Sequence, residues 1–195
     1  MDSKIAFLII ILLASCSTAA AQAFVSGLGG AAALSGGAAI RSVPPAAANY
    51  AASVGPALNV SVGYHFNDWL SAQAGYIWNR NLVTTRHLAG TVFSQSENTQ
   101  TQNSAAFDAL LYFRPRTSRL RPYLSVGPAV VAVLNERNPG LRVAVGIDVS
   151  VRKGLGVRYS FSEMMSSNPF AAKLNPPAGG SLMNFQNLFG VVKRF

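Results

Sequence analysis

The chain has 195 residues, of which 50% are hydrophobic and only 12% are charged, and its formal net charge is +9. Soluble domains carry about 25% charged residues, and disordered chains have low hydrophobicity, so neither class fits this composition. Apart from a short N-terminal segment, no stretch holds the roughly twenty consecutive apolar residues that a membrane-spanning helix needs. The length suits a single domain whose apolar residues are spread along the chain in another pattern.

The N-terminus has the pattern of a secretory signal peptide. Lys4 precedes an apolar run at residues 5–14, and small residues follow it as far as Ala21-Gln22-Ala23, which form an A-x-A cleavage site. The run is too short to span a bilayer. We therefore expect residues 1–23 to be removed and residues 24–195 to form the mature domain.

Cys16 allows an alternative form of processing. Residues 13–16 resemble a lipobox, in which the final cysteine is lipidated and becomes the first residue of the mature protein. The A-x-A site just beyond it favours loss of Cys16 with the signal peptide. The mature chain then has no cysteine, so no thiol or disulfide chemistry is available to it. A mass spectrum of the mature N-terminus distinguishes the two forms.

The remaining chain alternates between apolar residues and small or polar ones, which predicts β-strands. Strands are predicted at residues 24–34, 50–66, 70–79, 106–114, 123–134, 141–152, 155–162 and 182–195. In the strand at 141–152, one face is entirely aliphatic, whereas the opposite face carries Arg142, Ala144, Gly146, Asp148, Ser150 and Arg152. A soluble protein would turn the aliphatic face inward and the charges to water, whereas a small membrane barrel turns the aliphatic face to lipid and the polar face inward.

This pattern predicts an all-β fold, an eight-stranded antiparallel up-and-down transmembrane β-barrel preceded by a cleaved signal peptide. The aliphatic faces meet lipid, and the opposite faces line the interior. A buried charge needs a partner or water, so we expect ion pairs or lumen water at the inward charges Asp108, Arg142, Asp148, Arg152 and Arg158. The alternative is a soluble secreted β-sandwich, because half-buried strands show the same alternation.

The connections between the predicted strands alternate in length. Residues 67–68, 115–121 and 153–154 form short turns, and residues 35–49, 81–104, 135–140 and 163–180 form longer loops. Periplasmic turns and extracellular loops alternate in this way. The composition of residues 81–104 predicts a mobile, solvated loop. Four arginines crowd one periplasmic turn, either beside anionic lipid headgroups or simply in solvent: Arg114, Arg116, Arg119 and Arg121.

Residues 187–195 alternate apolar residues and end in Phe195. They resemble the last strand of small outer-membrane β-barrel proteins of the OmpA-like, opacity-like and OmpW-like type, which carries an assembly signal. Gly190 and Phe195 fall in register with that signal, whereas Lys193 stands where an aromatic residue is usual and Leu188 where a polar residue is usual. The resemblance implies the outer membrane of a Gram-negative-type bacterium, contact with its lipids, and recognition of Phe195 by the barrel-assembly machinery.

We expect no catalysis, no cofactor and no metal site. His65 lies on the lumen side beside a turn and His87 in a loop, and neither has His, Cys or carboxylate neighbours at metal-binding spacing. A hydrolase would need a serine, a histidine and an acidic residue in one site. The glycines at 27–37 lack the Lys-Ser/Thr of a phosphate loop. An exported barrel also has no nucleic-acid partner.

The predicted role is structural or surface-interacting, with mobile extracellular loops and an unidentified ligand. The alternative, which the OmpW-like resemblance implies, is a narrow channel or transporter for small solutes or apolar compounds. Many inward residues are small, so a thin water column is compatible with the sequence. Eight-stranded barrels are usually filled by their own side chains, which favours a plugged interior.

Overall fold

A computed structural model of the chain describes residues 22–35, 39–42, 46–89, 92–174 and 180–195. Residues 1–21, which hold most of the predicted signal peptide and Cys16, lie outside the described residues. No helix in the described part of the chain is long and apolar enough to cross a membrane.

The described residues form strands and one short helix, α1 (Pro169–Ala172). The strands are β1 (Ala23–Leu34), β2 (Ala39–Ser42), β3 (Ala46–Ala52), β4 (Val54–His65), β5 (Leu70–Ala89), β6 (Val92–Tyr112), β7 (Leu120–Val133), β8 (Glu136–Arg152), β9 (Leu155–Ser167) and β10 (Ser181–Arg194).

Hydrogen bonds close the sheet into a ring that runs β1, β4, β5, β6, β7, β8, β9 and β10. The ring closes between β10 and β1, from Phe24 opposite Arg194 to Leu34 opposite Asn184. All of these pairings are antiparallel, so the predicted antiparallel up-and-down barrel is confirmed. We call the end with connections 66–69, 113–119 and 153–154 the turn end, and the opposite end the loop end.

The alternation along each strand separates the outer surface from the interior. Val60, Phe107 and Val145 are about half exposed and point outward. Their neighbours Ser61 and Asp108 are buried. A belt of exposed apolar side chains therefore surrounds the barrel, as a membrane-spanning barrel requires, and the inward positions of these strands carry small, polar and charged residues as well as apolar ones.

Several of the predicted loops contain regular structure instead. The predicted loop 35–49 contains β2 and the first residues of β3, so that prediction is wrong for these residues. β5 and β6 pair without interruption from Leu70 opposite Leu111 to Ala89 opposite Val92, so the prediction of a loop at 81–104 is wrong. Backbone pairing needs no apolar alternation, and polar side chains such as Arg86 and Gln95 support it across the hairpin. In the predicted loop 163–180, β9 continues to Ser167 and α1 follows it.

The predicted loop at 135–140 is also wrong, because Leu134 and Asn135 alone connect β7 to β8. Val133 lies opposite Glu136, and the two turn residues have φ values of 53° and 64°. Positive φ at both positions is the geometry of a type I′ turn, whose twist matches that of paired strands.

The predicted strand at 50–66 is divided by an extra residue. Ala52 lies opposite Val83 and Ala57 lies opposite Asn79. From Ala52 to Ala57 the chain advances five residues, whereas the paired stretch of β5 advances only four. The extra residue, a β-bulge, reverses the facing of the residues before it. Strict alternation over 50–66 would place Tyr50 on the outer face with Leu58 and Val60, but Tyr50 is buried inside the barrel.

Candidate functional site

Arg158 on β9 lies at the centre of a buried network in the turn-end half of the barrel. Its Nε and Nη2 donate to the two carboxylate oxygens of Asp148 over 2.6 and 2.8 Å. Its Nη1 donates to Oε1 of Gln73 over 3.1 Å, and Nη2 also donates to the hydroxyl of Tyr112 over 2.9 Å. Strands β5, β6, β8 and β9 are thus joined through one guanidinium group.

Two more arginines and a second aspartate belong to the same network. Arg194 on β10 donates to Oδ2 of Asp148 over 3.0 Å. Arg142 on β8 pairs with Asp108 on β6, and Gln73 donates to the same carboxylate over 3.0 Å. Since Gln73 contacts both Arg158 and Asp108, the two ion pairs belong to one hydrogen-bonded network. Such desolvated charges are tolerated only when they are paired and hydrogen-bonded.

Aromatic rings enclose this network, and glycines make room for them. The guanidinium of Arg158 lies 5.2 Å from the ring centre of Phe24 and 5.0 Å from that of Tyr123. A Cβ on Gly63 would lie 2.2 Å from the Phe24 ring, and one on Gly146 would lie 2.4 Å from the Tyr123 ring. These small inward residues therefore accommodate aromatic side chains from neighbouring strands and do not leave that space open.

Two arginines lie in places other than those predicted from the sequence. Arg152, expected in the lumen, is exposed on the outer surface and lies opposite the outward-facing Leu155. A register irregularity between Ser150 and Arg152 inserts one residue and reverses the facing, which the alternation in the sequence does not show. Arg121, expected in the exposed basic turn, is buried with its guanidinium 3.8 Å from the ring centre of Tyr112.

The loop-end half of the interior is apolar. Ile77, Val131, Met164 and Leu182 are almost completely buried there, in a cluster that also includes Phe170 of α1. Nδ2 of Asn168, the residue that caps α1, donates to the hydroxyl of Tyr50 over 2.7 Å. The sequence does not predict α1, which packs Phe170 into the loop-end mouth of the barrel. Within the described residues, the interior is thus filled by side chains at both ends.

His65 contacts a serine, as the histidine of a hydrolase does, but both residues are buried inside the barrel. Its Nδ1 lies 2.5 Å from Oγ of Ser71. The other ring nitrogen, Nε2, is buried without a hydrogen-bond partner, so no carboxylate orients the ring. In the described part of the chain, no group of three or more His, Cys, Asp and Glu side chains is arranged to hold a metal ion.

Of the two residues of the predicted assembly signal, Gly190 lies on β10 and Phe195 directly follows it. Gly190 faces the interior beside Arg158, and a Cβ on it would lie 2.0 Å from the carbonyl oxygen of Gly27. Phe195 is exposed at the turn end, where its amide donates to the carbonyl of Ala23. Their recognition during assembly stays a prediction.

The loop end carries a sheet that extends beyond the ring. We call it the protruding sheet; it consists of β2, β3 and the hairpin of residues 80–89 and 92–102. Among the described strands, β7 pairs with β6 only from Asn103 onward. Residues 92–102 therefore have β5 on one side and a free edge on the other. Every side chain at 92–99 is exposed.

The hydrogen-bond pattern identifies the backbone groups at this free edge. The amide of Tyr112 donates to the carbonyl of Trp69, and the pairing with β5 continues in register to Val92. Because hydrogen-bonded pairs occur at every second position, the even-numbered residues of β6 bond to β5. The outward N–H and C=O groups belong to the odd-numbered residues, namely Phe93, Gln95, Glu97, Thr99 and Thr101.

Among the similar solved structures, one with a TM-score above 0.5 supports the fold. Neisserial surface protein A is similar over 89% of this chain and 97% of its own, with 17% sequence identity and a TM-score of 0.59. Ail, the attachment invasion locus protein of Yersinia pestis, covers 89% and 99% of the two chains with 12% identity and a TM-score of 0.46. A de novo designed transmembrane β-barrel covers 90% and 96%, with 11% identity and a TM-score of 0.45.

The search of the curated proteins found no match. A family model described as outer membrane protein beta-barrel domain matches residues 7–190, which is nearly the whole chain. The exposed apolar belt and the closed antiparallel ring agree with that match. The chain therefore belongs to the outer membrane protein β-barrel domain family.

Proposed function

We propose that this protein is a non-catalytic surface-interaction protein, exported by its N-terminal signal peptide, whose loop end faces the cell exterior. The free edge of the protruding sheet binds an extended segment of another polypeptide, which adds to the sheet as a further strand. The observation that carries this proposal is the unpaired side of residues 92–102.

The composition of the edge supports strand addition. Natural edge strands are commonly protected by lysine, proline or a covering loop. Residues 92–102 contain neither lysine nor proline, and Glu97 is their single charged residue. An extended segment would satisfy the outward N–H and C=O groups by backbone hydrogen bonds, while the exposed side chains would select its sequence.

The foot of the edge offers a place for the end of such a segment. Where β6 leaves β7, an open notch of about 450 Å³ is lined by Gln100, Thr101, Asn103 and the turn residue Asn135, among others. Its polar side chains supply hydrogen-bond donors and acceptors where the backbone pairing of the ring begins. A bound strand would here continue the direction of β7.

Thr99→Pro tests the proposal, because it removes an outward amide without removing a hydrogen bond between β5 and β6. A phage library of random linear peptides is selected on the wild-type barrel in detergent. We expect the selected peptides to bind Thr99→Val like the wild type and to lose about tenfold in affinity for Thr99→Pro, which is roughly the value of one backbone hydrogen bond plus the steric block. Equal binding to both variants, or no enrichment of any peptide, contradicts strand addition.

The filled interior supports this role over the channel alternative. The buried Arg142 and Arg158 are paired with aspartates, aromatic rings occupy the space beside Gly63 and Gly146, and Phe170 packs into the loop-end mouth. A conducting pathway would require several of these side chains to move together. The buried position of His65 and Ser71 likewise supports a function without catalysis.

A further inference from the structure

The rim of the barrel at the turn end carries an open, basic groove of about 900 Å³. Its lining includes Arg116, Arg152, Lys153, Lys193, Arg194 and Phe195. Arg116 pairs with Asp68, and Arg194 pairs with Asp148. Among the described residues, no acidic side chain forms a salt bridge with the other three cations. The groove is therefore strongly positive.

Strand register places two of the free cations side by side on the outer surface. Arg152 on β8 and Lys193 on β10 both lie opposite Leu155 on β9, so the three side chains form a row across neighbouring strands. Strands in a sheet are about 4.8 Å apart, so the two cations start about 10 Å from each other. Their long side chains can converge on one anionic group above Leu155.

The row lies where the apolar outer surface ends. Leu155 is 39% exposed between the two cations, and Val191 and Val157 form the next outward pair toward the membrane centre. Phe195, beside the groove, is also exposed. A ligand that fits this boundary needs a negative charge at the level of the cations and an apolar part that continues along the barrel wall. A phospholipid has both parts, whereas free phosphate and nucleic acid lack the apolar part.

We propose that this groove binds the headgroup phosphate of an anionic phospholipid in the membrane leaflet next to the turn end. Arg152 and Lys193 hold the phosphate, Lys153 adds positive charge, and the acyl chains lie against Leu155 and Val191. The residue inserted between Ser150 and Arg152 is what turns Arg152 outward for this role.

The test uses the full chain, folded in vitro into vesicles of equal phosphatidylglycerol and phosphatidylcholine and then transferred to mild detergent. Native mass spectrometry measures the ratio of the two lipids that stay bound. We expect the wild type to retain phosphatidylglycerol preferentially. Arg152→Gln/Lys193→Gln should reduce that preference by about thirtyfold, because each cation near an anionic lipid contributes about fivefold.

A matched variant controls for net charge. Arg137→Gln/Lys173→Gln removes two exposed cations at the loop end and should leave the preference unchanged. The conservative variant Arg152→Lys/Lys193→Arg should retain it, and heat-modifiable gel mobility shows that each variant is folded. The proposal is overturned by equal retention of both lipids on the wild type, by equal losses in the turn-end and loop-end variants, or by displacement of the lipid with millimolar inorganic phosphate.

Discussion

Asp148 is the residue on which the interior charge network depends most. It accepts hydrogen bonds from Arg158, Arg194 and Tyr112, and its side chain has no exposed surface. Its carboxylate pairs with two guanidinium groups in a space from which side chains exclude solvent. Removing one partner of a buried pair leaves an uncompensated charge, which is far more damaging than the pair is stabilising.

We therefore expect Asp148→Asn to lower the free energy of unfolding by about 3–5 kcal/mol. Urea unfolding in lipid vesicles, followed by tryptophan fluorescence, measures the change. Asp68→Asn is the control, because Asp68 pairs with Arg116 in a half-exposed turn that water screens. If the two substitutions cost the same, the buried network has no special part in stability.

The exposed ion pair between Asp68 and Arg116 makes stability depend on pH. The hydrogen bond from Arg116 lowers the pKa of the Asp68 carboxyl below its usual value. The ion pair therefore stabilises the fold at pH values above the usual pKa of an aspartate, and this stabilisation is lost as the pH falls through the lowered pKa. The effect is small because the carboxylate is solvated.

The inward charges could be chosen from the sequence, but their partners could not. Asp108, Arg142, Asp148 and Arg158 stand among small residues on otherwise aliphatic strands, which is a visible signal. Gln73 carries no such signal, because its contact with Arg158 depends on which walls of the barrel face each other. The prediction that Arg152 faces the lumen is wrong because the alternating sequence does not show the one-residue irregularity between Ser150 and Arg152.

At the scale of single elements, the turn between β7 and β8 depends on the backbone conformation of one residue, Asn135. Asn135 has a φ of 64°, and asparagine tolerates this left-handed conformation better than residues with branched side chains. The sequence signal was hidden because the usual Asn-Gly pair is replaced by Leu134-Asn135, and because Pro139 and Gly140 resemble loop residues.

We expect Asn135→Val to destabilise the barrel by about 1–2 kcal/mol, whereas Asn135→Gly should cost nothing. The urea midpoint of the folded protein in vesicles measures both. Asn138→Val, three residues further along in strand β8, is the control and should not destabilise, since valine suits a strand. A similar loss at both positions would mean that backbone strain at Asn135 is not the cause.

At the scale of the whole molecule, the interior changes character along the barrel axis. Charged and aromatic groups fill the turn-end half, and apolar side chains fill the loop-end half beneath α1. The sequence predicts the barrel well because the alternation repeats in every strand. It does not reveal the filled interior, because a glycine beside an aromatic ring and a glycine beside water look alike in one dimension.

We expect the wild-type protein to show no steady single-channel conductance in planar bilayers. The paired charges and Phe170 obstruct ion movement from opposite ends of the interior. Steady current steps that shrink in Arg142→Ala or Arg158→Ala would instead support a pore lined by these arginines.

The contact of Arg158 with Gln73 has a consequence for how the barrel is made. The two residues lie on β9 and β5, which are separated in the sheet by β4, β1 and β10. A partly assembled sheet can form the pair between Arg158 and Asp148 on neighbouring strands, whereas the contacts with Gln73 and Tyr112 cross the interior from other walls of the ring. Open intermediates would hold a guanidinium with too few partners against lipid, which is costly. We therefore expect insertion and ring closure to be coupled, so that partly closed barrels do not accumulate.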